Sequence, residues 1–179
     1  MTPDAGPAMV RRTSTLSSNR PQDYKAVLGR FCTGVTVVTA LDGDTPVGFT
    51  CQSFSALSLQ PPLILICPSK GSTTWPRISR AGAFAVNILA AGQEGLGRGF
   101  ARSGADKFAG VEWRPSPAGL PLLPDTLAWL ECSIADERDA GDHTVVIATV
   151  DELGHGPADE PLLFYRGGFR TLNTKEATI

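Results

Sequence analysis

The chain has 179 residues and a formal net charge of −2, with 42% hydrophobic and 19% charged residues. This length is typical of one domain with a sizeable core, and the composition is ordinary for a globular protein. No apolar run approaches the roughly 20 residues of a membrane-spanning helix. A slightly acidic chain also lacks the basic domain of a nucleic-acid-binding protein. We therefore expect neither a membrane nor a nucleic acid as a partner.

The ends of the chain indicate the limits of the domain, and the cysteine spacing indicates the state of the thiols. Residues 1–18 are rich in Pro, Gly, Ser and Thr and lack the apolar stretch of a secretory signal, which predicts a disordered arm. We expect one domain over residues 19–172 and a frayed tail over residues 173–179. The four cysteines show no Cys-x-x-Cys spacing, which favours free thiols in a cytoplasmic protein over disulfides or zinc.

The first predicted element is a helix that begins near Ser18 or Asn19 and ends at Gly34. Apolar residues recur along it at helical spacing and form one stripe, which we expect to pack on the core. The residues of this stripe are Tyr24, Val27, Leu28 and Phe31.

The rest of the chain reads mainly as strands. A β-branched run over residues 35–41, the turn residues 42–44 and a strand over residues 47–54 predict a hairpin. The continuous apolar run 63–67 predicts a strand that is buried on both faces. Further strands are expected over 84–89, 127–136, 143–153 and 161–165, with helices after residue 72 and over 92–102.

These elements define a fold class. Six or seven strands and three short helices do not alternate strictly, so a doubly wound parallel sheet is not expected. The pattern predicts a mainly β protein with peripheral helices, built on a closed antiparallel β-barrel.

The charge pattern points to a local anion site. Between Thr45 and Ala105 the only acidic residue is Glu94, although the whole chain is slightly acidic. Such an asymmetry favours a site for an anionic ligand, while Arg77 and Arg80 are also explained as solvated helix residues. The basic residues of this stretch are Lys70, Arg77, Arg80, Arg98 and Arg102.

Several segments carry candidate binding chemistry, each with a plainer alternative. The Ser- and Thr-rich residues 48–62 suit a flat phosphorylated ligand, or form a simple loop between strands. Residues 68–75, with Lys70 and hydroxyls, predict a phosphate cradle or an ordinary helix cap by Ser72 or Thr73. The aromatic and arginine residues 164–169 would stack on a nucleotide, make a subunit contact or pack a last strand.

Histidine is scarce, and it offers one candidate for catalysis. His143 follows Gly141 and Asp142 at the mouth of a predicted strand, where a hydrogen-bonded surface histidine is the plainer alternative. His143 and His155 are isolated from paired carboxylates, so no metal site is predicted.

Seven motifs in the same order resemble the flavin reductase-like family with an FMN-binding split barrel. Residues 31–39, 48–54 and 58–62 carry the first part of the resemblance. Residues 84–89, 106–110, 141–143 and 162–169 carry the second. The closest similarity is to the small reductase component of two-component flavin-dependent monooxygenases.

The resemblance implies a fold, a reaction and partners. The fold is a homodimeric, six-stranded antiparallel Greek-key split β-barrel. The reaction uses NADH or NADPH to reduce FMN or FAD, and the reduced flavin diffuses to a separate monooxygenase. Two other functions stay open: an oxidase or reductase acting directly on a small substrate, and a flavin- or haem-binding module without turnover. The basic stretch disfavours a purely structural dimer.

The resemblance also assigns site residues. It implies that four residues line the isoalloxazine ring, largely through their backbone: Thr50, Cys51, Gln52 and Ser53. It implies that four further residues lie near the ribityl and phosphate groups of the flavin: Ser58, Ser69, Lys70 and Ser72. It implies that the flavin site is closed by Phe100, Arg102 and Lys107. It places on the nicotinamide side Tyr165, Arg166 and the catalytic candidate His143, which would orient the nicotinamide.

Overall fold

The computed structural model describes residues 15–104 and 106–172. The predicted tail, residues 173–179, and most of the predicted arm, residues 1–14, lie outside the described residues. The domain boundaries at 19 and 172 stay a prediction. The α-helices within the described residues are α1 Pro21–Leu28, α2 Trp75–Ala81 and α3 Glu94–Ala101, and a 3₁₀ turn, Ala91–Gln93, precedes α3.

Strands are the main regular secondary structure of the described residues. The first six are β1 Thr33–Gly34, β2 Thr36–Asp42, β3 Thr45–Cys51, β4 Ser55–Leu59, β5 Pro62–Ile66 and β6 Ala83–Ile88. The remaining six are β7 Arg114–Pro115, β8 Pro121–Leu122, β9 Ala128–Ala140, β10 His143–His155, β11 Leu163–Tyr165 and β12 Gly168–Arg170. The predicted β2–β3 hairpin is present, and its turn contains Gly43 with a positive φ of 62°.

Seven strands form the main sheet, in the order β3-β2-β6-β9-β10-β5-β4, and every pair is antiparallel. The first and last strands of this order, β3 and β4, are joined by residues 52–54 alone. Four Cα–Cα steps reach at most roughly 14 Å. The sheet must therefore curl round until its two edges approach, which gives a barrel that is split between β3 and β4.

The core lies inside this barrel and in a second layer outside it. The inner cluster contains Val38, Ile66 and Phe84, and α2 closes it with Trp75 and Ile78. A second cluster packs outside the barrel, beneath α3 and the β11–β12 hairpin. Its buried members are Val35, Val37, Leu89, Phe100, Phe108, Leu123 and Leu162.

The burial of two strands differs from simple expectation. The prediction that the apolar run 63–67 is buried on both faces is wrong, because Ile64 and Ile66 are buried while Leu63 and Leu65 are only half-buried. The strand with both faces covered is β2, where five successive residues from Thr36 are buried. One face of β2 lines the barrel interior, and the other contributes Val37 to the outer cluster.

Helix α1 also departs from expectation. It ends at Leu28 rather than Gly34, and none of its residues is buried. The expected packing of its apolar stripe on the core is wrong, because Tyr24, Val27 and Leu28 are exposed and Phe31 is 76% exposed. The stripe is therefore an uncovered apolar surface of the single chain.

The architecture agrees with the predicted fold class, which is mainly β with peripheral helices and antiparallel pairing. The main sheet has seven strands within the described residues, one more than the six of the expected barrel. No helix in the described part of the chain is long and apolar enough to cross a membrane.

Candidate active site

A groove with a volume of about 500 Å³ lies between the end of β3, helix α3 and the β11–β12 hairpin. Ligand sites of proteins commonly have volumes of about 300–1,000 Å³. One side of the groove is apolar and aromatic, and the other carries polar and cationic groups. Its lining residues are Val35, Thr50, Gln52, Arg98, Ala101, Arg102, Phe164 and Phe169. We call it the first groove.

Close packing fixes helix α3 against β3. The Thr50 hydroxyl donates a hydrogen bond of 2.6 Å to the carbonyl oxygen of Gly97. Phe100 is 1% exposed and approaches the backbone of Gly48 so closely that a Cβ there would lie 2.8 Å from its ring. The position of α3, and hence of the groove-lining side chains on it, is set by these contacts.

Two arginines, Arg98 on α3 and Arg102 immediately after it, give the first groove its positive charge. Arg98 pairs with Glu94, one turn earlier, at 2.6 Å, and its guanidinium carbon lies 4.9 Å from the centre of the Phe169 ring. Arg102 follows the last residue of α3 and also lines the groove. Guanidinium groups beside an aromatic wall suit a ligand that is both planar and anionic.

Ser53 lies in the connection between β3 and β4, where the barrel is split, and is hydrogen-bonded to Cys67, the residue after β5. Its hydroxyl accepts a hydrogen bond from the Cys67 N–H at 2.9 Å and donates one to the Cys67 carbonyl at 3.1 Å. The neighbouring Cys51 thiol lies 3.4 Å from the same hydroxyl and points into the core. Burial raises the pKa of the Cys51 thiol, so this cysteine offers a ligand its backbone rather than a thiolate.

Ser69 and Lys70, which the resemblance places near the phosphate, lie beside Asp142 and His143, the second of which it places on the nicotinamide side. Ser69 forms an isolated antiparallel bridge with His143, and the Lys70 N–H donates to the Asp142 carbonyl at 2.9 Å. His143 Nδ1 lies 2.7 Å from a carboxylate oxygen of Asp142. This hydrogen bond to His143 lowers the pKa of the Asp142 carboxyl. The carboxylate restrains the orientation of the imidazole ring, and the His143 side chain is partly exposed.

Lys107, Thr74 and Ser72 form a third group. The ammonium of Lys107 donates to the Thr74 hydroxyl at 3.3 Å, and the Thr74 N–H donates to the Ser72 hydroxyl at 3.2 Å. The Ser72 hydroxyl also accepts from the Trp75 N–H at 3.0 Å, although the N-cap residue of α2 is Thr74, whose side chain makes no capping hydrogen bond. Partial burial lowers the pKa of Lys107, and no carboxylate of the described residues forms an ion pair with it.

The other predicted site residues lie apart from these groups. Ser58 lies on β4 opposite Leu63 and does not line the first groove. Tyr165 alternates with the groove-lining Phe164 along β11 and so faces the other way. Arg166 occupies the β11–β12 turn with a positive φ of 52°, and its N–H donates to the Gly29 carbonyl at 2.7 Å.

The first groove also contains five residues to which the resemblance assigned no role: Val35, Arg98, Ala101, Phe164 and Phe169. Stacking on a nucleotide is one of the three interpretations of residues 164–169, and Arg98 belongs to the basic stretch that predicts an anion site. Val35 and Ala101 are apolar, and their residue types alone do not indicate binding.

The described residues contain no cluster of side chains that could coordinate a metal ion. Within residues 15–104 and 106–172, no group of three or more His, Cys, Asp or Glu side chains could hold a metal ion. The arrangement instead offers an aromatic groove, cations for an anionic ligand and one oriented imidazole.

A family model described as "Flavin reductase like domain" matches residues 28–173. The chain therefore belongs to the flavin reductase-like family, and the resemblance drawn from its sequence motifs is confirmed.

Named relatives and solved structures agree with this assignment. The reductase subunit HsaB of a flavin-dependent monooxygenase from Mycobacterium tuberculosis is 46% identical over 160 residues, covering 88% of this chain and 86% of the relative. The FMN reductase (NADH) SmoA of Agrobacterium fabrum is 42% identical over 148 residues, covering 83% and 84%.

Similarity extends to the three-dimensional structure. The Streptomyces globisporus NADH:FAD oxidoreductase SgcE6, solved in complex with NAD and FAD fragments, superposes with a TM-score of 0.86 at 38% identity. The superposition covers 92% of this chain and 99% of that one. The names of these relatives agree with the predicted enzyme class, a flavin reductase.

Proposed function

We propose that this protein is a flavin reductase that oxidises NADH, reduces FMN or FAD and releases the reduced flavin to a separate monooxygenase. The observation that carries this proposal is the first groove, where an aromatic wall, two arginines and the end of β3 meet. Relatives with these activities in their names support the choice of NADH and of a flavin acceptor.

The residues present fit a flavin. The first groove is of ligand size, and Phe164 and Phe169 offer it an apolar aromatic wall. Thr50 and Gln52, at the end of β3, line the opposite part of the groove with polar side chains. Lys107 is a half-buried cation with hydroxyls beside it and no carboxylate pair among the described residues, which is what an incoming phosphate needs.

The protein contributes binding and orientation. When bound, the nicotinamide supplies a hydride to the flavin, and this chemistry belongs to the two ligands. Thr50 and Gln52 line the first groove and would contact the flavin ring, while Ser69, Lys70, Ser72 and Lys107, which lie outside its lining, would hold the phosphate.

His143 acts on the nicotinamide side of the site. Its Nδ1 is hydrogen-bonded to the Asp142 carboxylate, so Nε2 would be the atom that contacts the nicotinamide and orients it. No proton transfer by the imidazole is required for this role, because alignment of the two rings is the main requirement of the reaction.

A homodimer is part of this proposal. The exposed apolar stripe of α1 is a surface that water disfavours, and a second copy of the chain would cover it. Sedimentation of the wild-type protein and of Phe31→Asp tests this, with the exposed Leu172→Asp as matched control. We expect a dimer that only Phe31→Asp weakens; a wild-type monomer at micromolar concentration would exclude it.

We also propose that the protein works in the cytoplasm. Four free cysteines, of which Cys51 and Cys132 are buried and Cys32 is exposed, suit a reducing compartment. Fractionation of cells that produce the protein, with detection of the intact chain, tests this; recovery outside the cytoplasm would contradict it.

The decisive experiment is oxidation of NADH and NADPH by the purified protein, with and without FMN or FAD. We expect oxidation that requires added flavin, saturates with it and is faster with NADH. Absence of oxidation in every combination would remove the reductase function. Tight flavin retention through gel filtration would then indicate a binding module without turnover.

A further inference from the structure

Lys70 forms an ion pair with a carboxylate that has no part in the proposed function. Its ammonium nitrogen lies 3.1 Å from a carboxylate oxygen of Asp139, near the end of β9. The side chain of Asp139 is 85% exposed and that of Lys70 is 40% exposed. Ion pairs between groups as exposed as these contribute little to stability, because water solvates the separated charges nearly as well. The pair can therefore open without disturbing the fold.

The two lysines assigned to the phosphate differ in this respect. Lys107 donates to the Thr74 hydroxyl and forms no ion pair with a carboxylate of the described residues. In Lys70, the backbone N–H is fixed by a hydrogen bond of 2.9 Å to the Asp142 carbonyl, while a flexible four-carbon stem carries the ammonium. The ammonium can thus exchange Asp139 for a phosphate without movement of the main chain.

A carboxylate and a phosphate that compete for one ammonium weaken each other's binding. The apparent affinity of a ligand falls in proportion to the fraction of the protein in which its binding group is free. Exposed ion pairs have association constants on the order of 1 to 5 within a folded chain. A competing pair of this strength raises the apparent Kd of the phosphate about two- to sixfold.

We propose that Asp139 sets the affinity of the phosphate site by competing with the flavin phosphate for the ammonium of Lys70. This inference rests on the proposed function, in which Lys70 holds the phosphate. Asp139 contacts no ligand in this role and acts only through Lys70, so it is a positioning residue. Its loss improves the binding of a phosphorylated flavin, and this weak binding suits an enzyme that releases its product to another protein.

The first measurement compares the Kd of FMN with that of riboflavin, which has the same ring system and no phosphate, by isothermal titration calorimetry. Asp139→Asn removes the charge and keeps the size of the side chain. We expect its Kd for FMN to be about two- to sixfold lower than that of the wild type, with the Kd for riboflavin unchanged. A merely structural role would change both Kd values or neither. An unchanged or higher Kd for FMN overturns the proposal.

Two further variants separate competition from a general loss of negative charge. Asp136→Asn is the matched control, because Asp136 lies on the same strand and pairs with Arg138 rather than with Lys70. In Lys70→Gln there is no ammonium to compete for, so adding Asp139→Asn should leave the Kd of FMN unchanged. Equal tightening in Asp136→Asn, or an effect of Asp139→Asn that persists in Lys70→Gln, overturns the proposal.

The second measurement is steady-state oxidation of NADH with each flavin. We expect the KM of FMN to fall in Asp139→Asn by about the same factor as its Kd, with the KM values of riboflavin and NADH unchanged. A parallel fall in the KM of riboflavin contradicts competition at the phosphate.

The design separates failure of this inference from failure of the proposed function. If the wild type oxidises no NADH with any flavin, the reductase function fails, and the FMN and riboflavin titrations still decide the role of Asp139. If the wild type reduces both flavins but binds FMN no more tightly than riboflavin, the reductase function stands and this proposal is overturned. A wild type that binds neither flavin overturns both.

Discussion

Three glycines of helix α3 allow the packing beneath the first groove to be tested on one element. A Cβ on Gly99 would meet no atom within 4 Å, whereas one on Gly97 would lie 3.3 Å from the Phe169 ring and 3.4 Å from Leu89. Alanine is favoured over glycine in a helix by about 1 kcal/mol. We expect Gly99→Ala to be more stable by about this amount, and its Tm to rise by roughly 2–4 °C.

Gly97→Ala gains the same helix propensity but overfills its site. Added methyl groups in a well-packed region typically cost about 1–3 kcal/mol. Leu89 is fully buried and Phe169 only partly, so Phe169 is the side chain that gives way. We expect Gly97→Ala to be less stable than Gly99→Ala by roughly 1–3 kcal/mol, and its flavin-dependent KM values to rise because the groove wall has moved.

Urea unfolding and steady-state kinetics of both variants provide the measurement. Gly95→Ala, which also meets no atom within 4 Å, serves as a second control on the same helix. Equal stabilisation of all three variants, with unchanged KM values, would refute the packing argument and the role of Phe169 as a fixed wall.

Three further predictions follow from named contacts. Thr50→Val removes the hydrogen bond to Gly97 and should lower the free energy of unfolding by about 1 kcal/mol in urea titration. His143→Ala should raise the KM of NADH several-fold, with the flavin KM unchanged, if its ring orients the nicotinamide. Burial, Asp151 and Glu131 raise the pKa of Cys132 to about 12, so iodoacetamide at pH 8 should modify the exposed Cys32 and spare Cys132 by mass spectrometry.

Each of these has its own control. Thr50→Ser keeps the hydroxyl and should retain most of the lost stability. For His143, unchanged kinetics with NADH would contradict an orienting role. Above pH 8.5 the unfolded Cys132 thiol ionises while the folded one stays protonated, so stability should fall with rising pH. Labelling of Cys132 at the rate of Cys32 in the folded protein would contradict its burial.

Local sequence signals predicted the elements that depend on local chemistry. The β2–β3 hairpin follows from a β-branched run and a turn whose glycine adopts positive φ, and α2 begins shortly after Ser72, whose hydroxyl accepts the N–H of its first residue, Trp75. Strand β4 was missed, because its alternation of Ser with Ala and Leu also fits a polar loop. Its pairing with β5 comes from the closing barrel rather than from propensity.

Burial was harder to predict than element type. An amphipathic stripe such as that of α1 shows that a helix has an apolar face, but not whether its own chain covers that face. Likewise, Phe164 and Phe169 are recognisable as aromatic residues of a terminal hairpin. Their place in the groove depends on α3, which lies more than 60 residues earlier in the chain.

The three-residue connection between β3 and β4 has a consequence for solubility. An open sheet of seven strands would present two edges, each a row of unpaired backbone groups on which another molecule could add a strand. Here those edges are the two strands that residues 52–54 hold together, and α3 lies against β3 through Thr50 and Gly97. The segment that shapes the ligand site therefore also protects the protein from edge-to-edge aggregation.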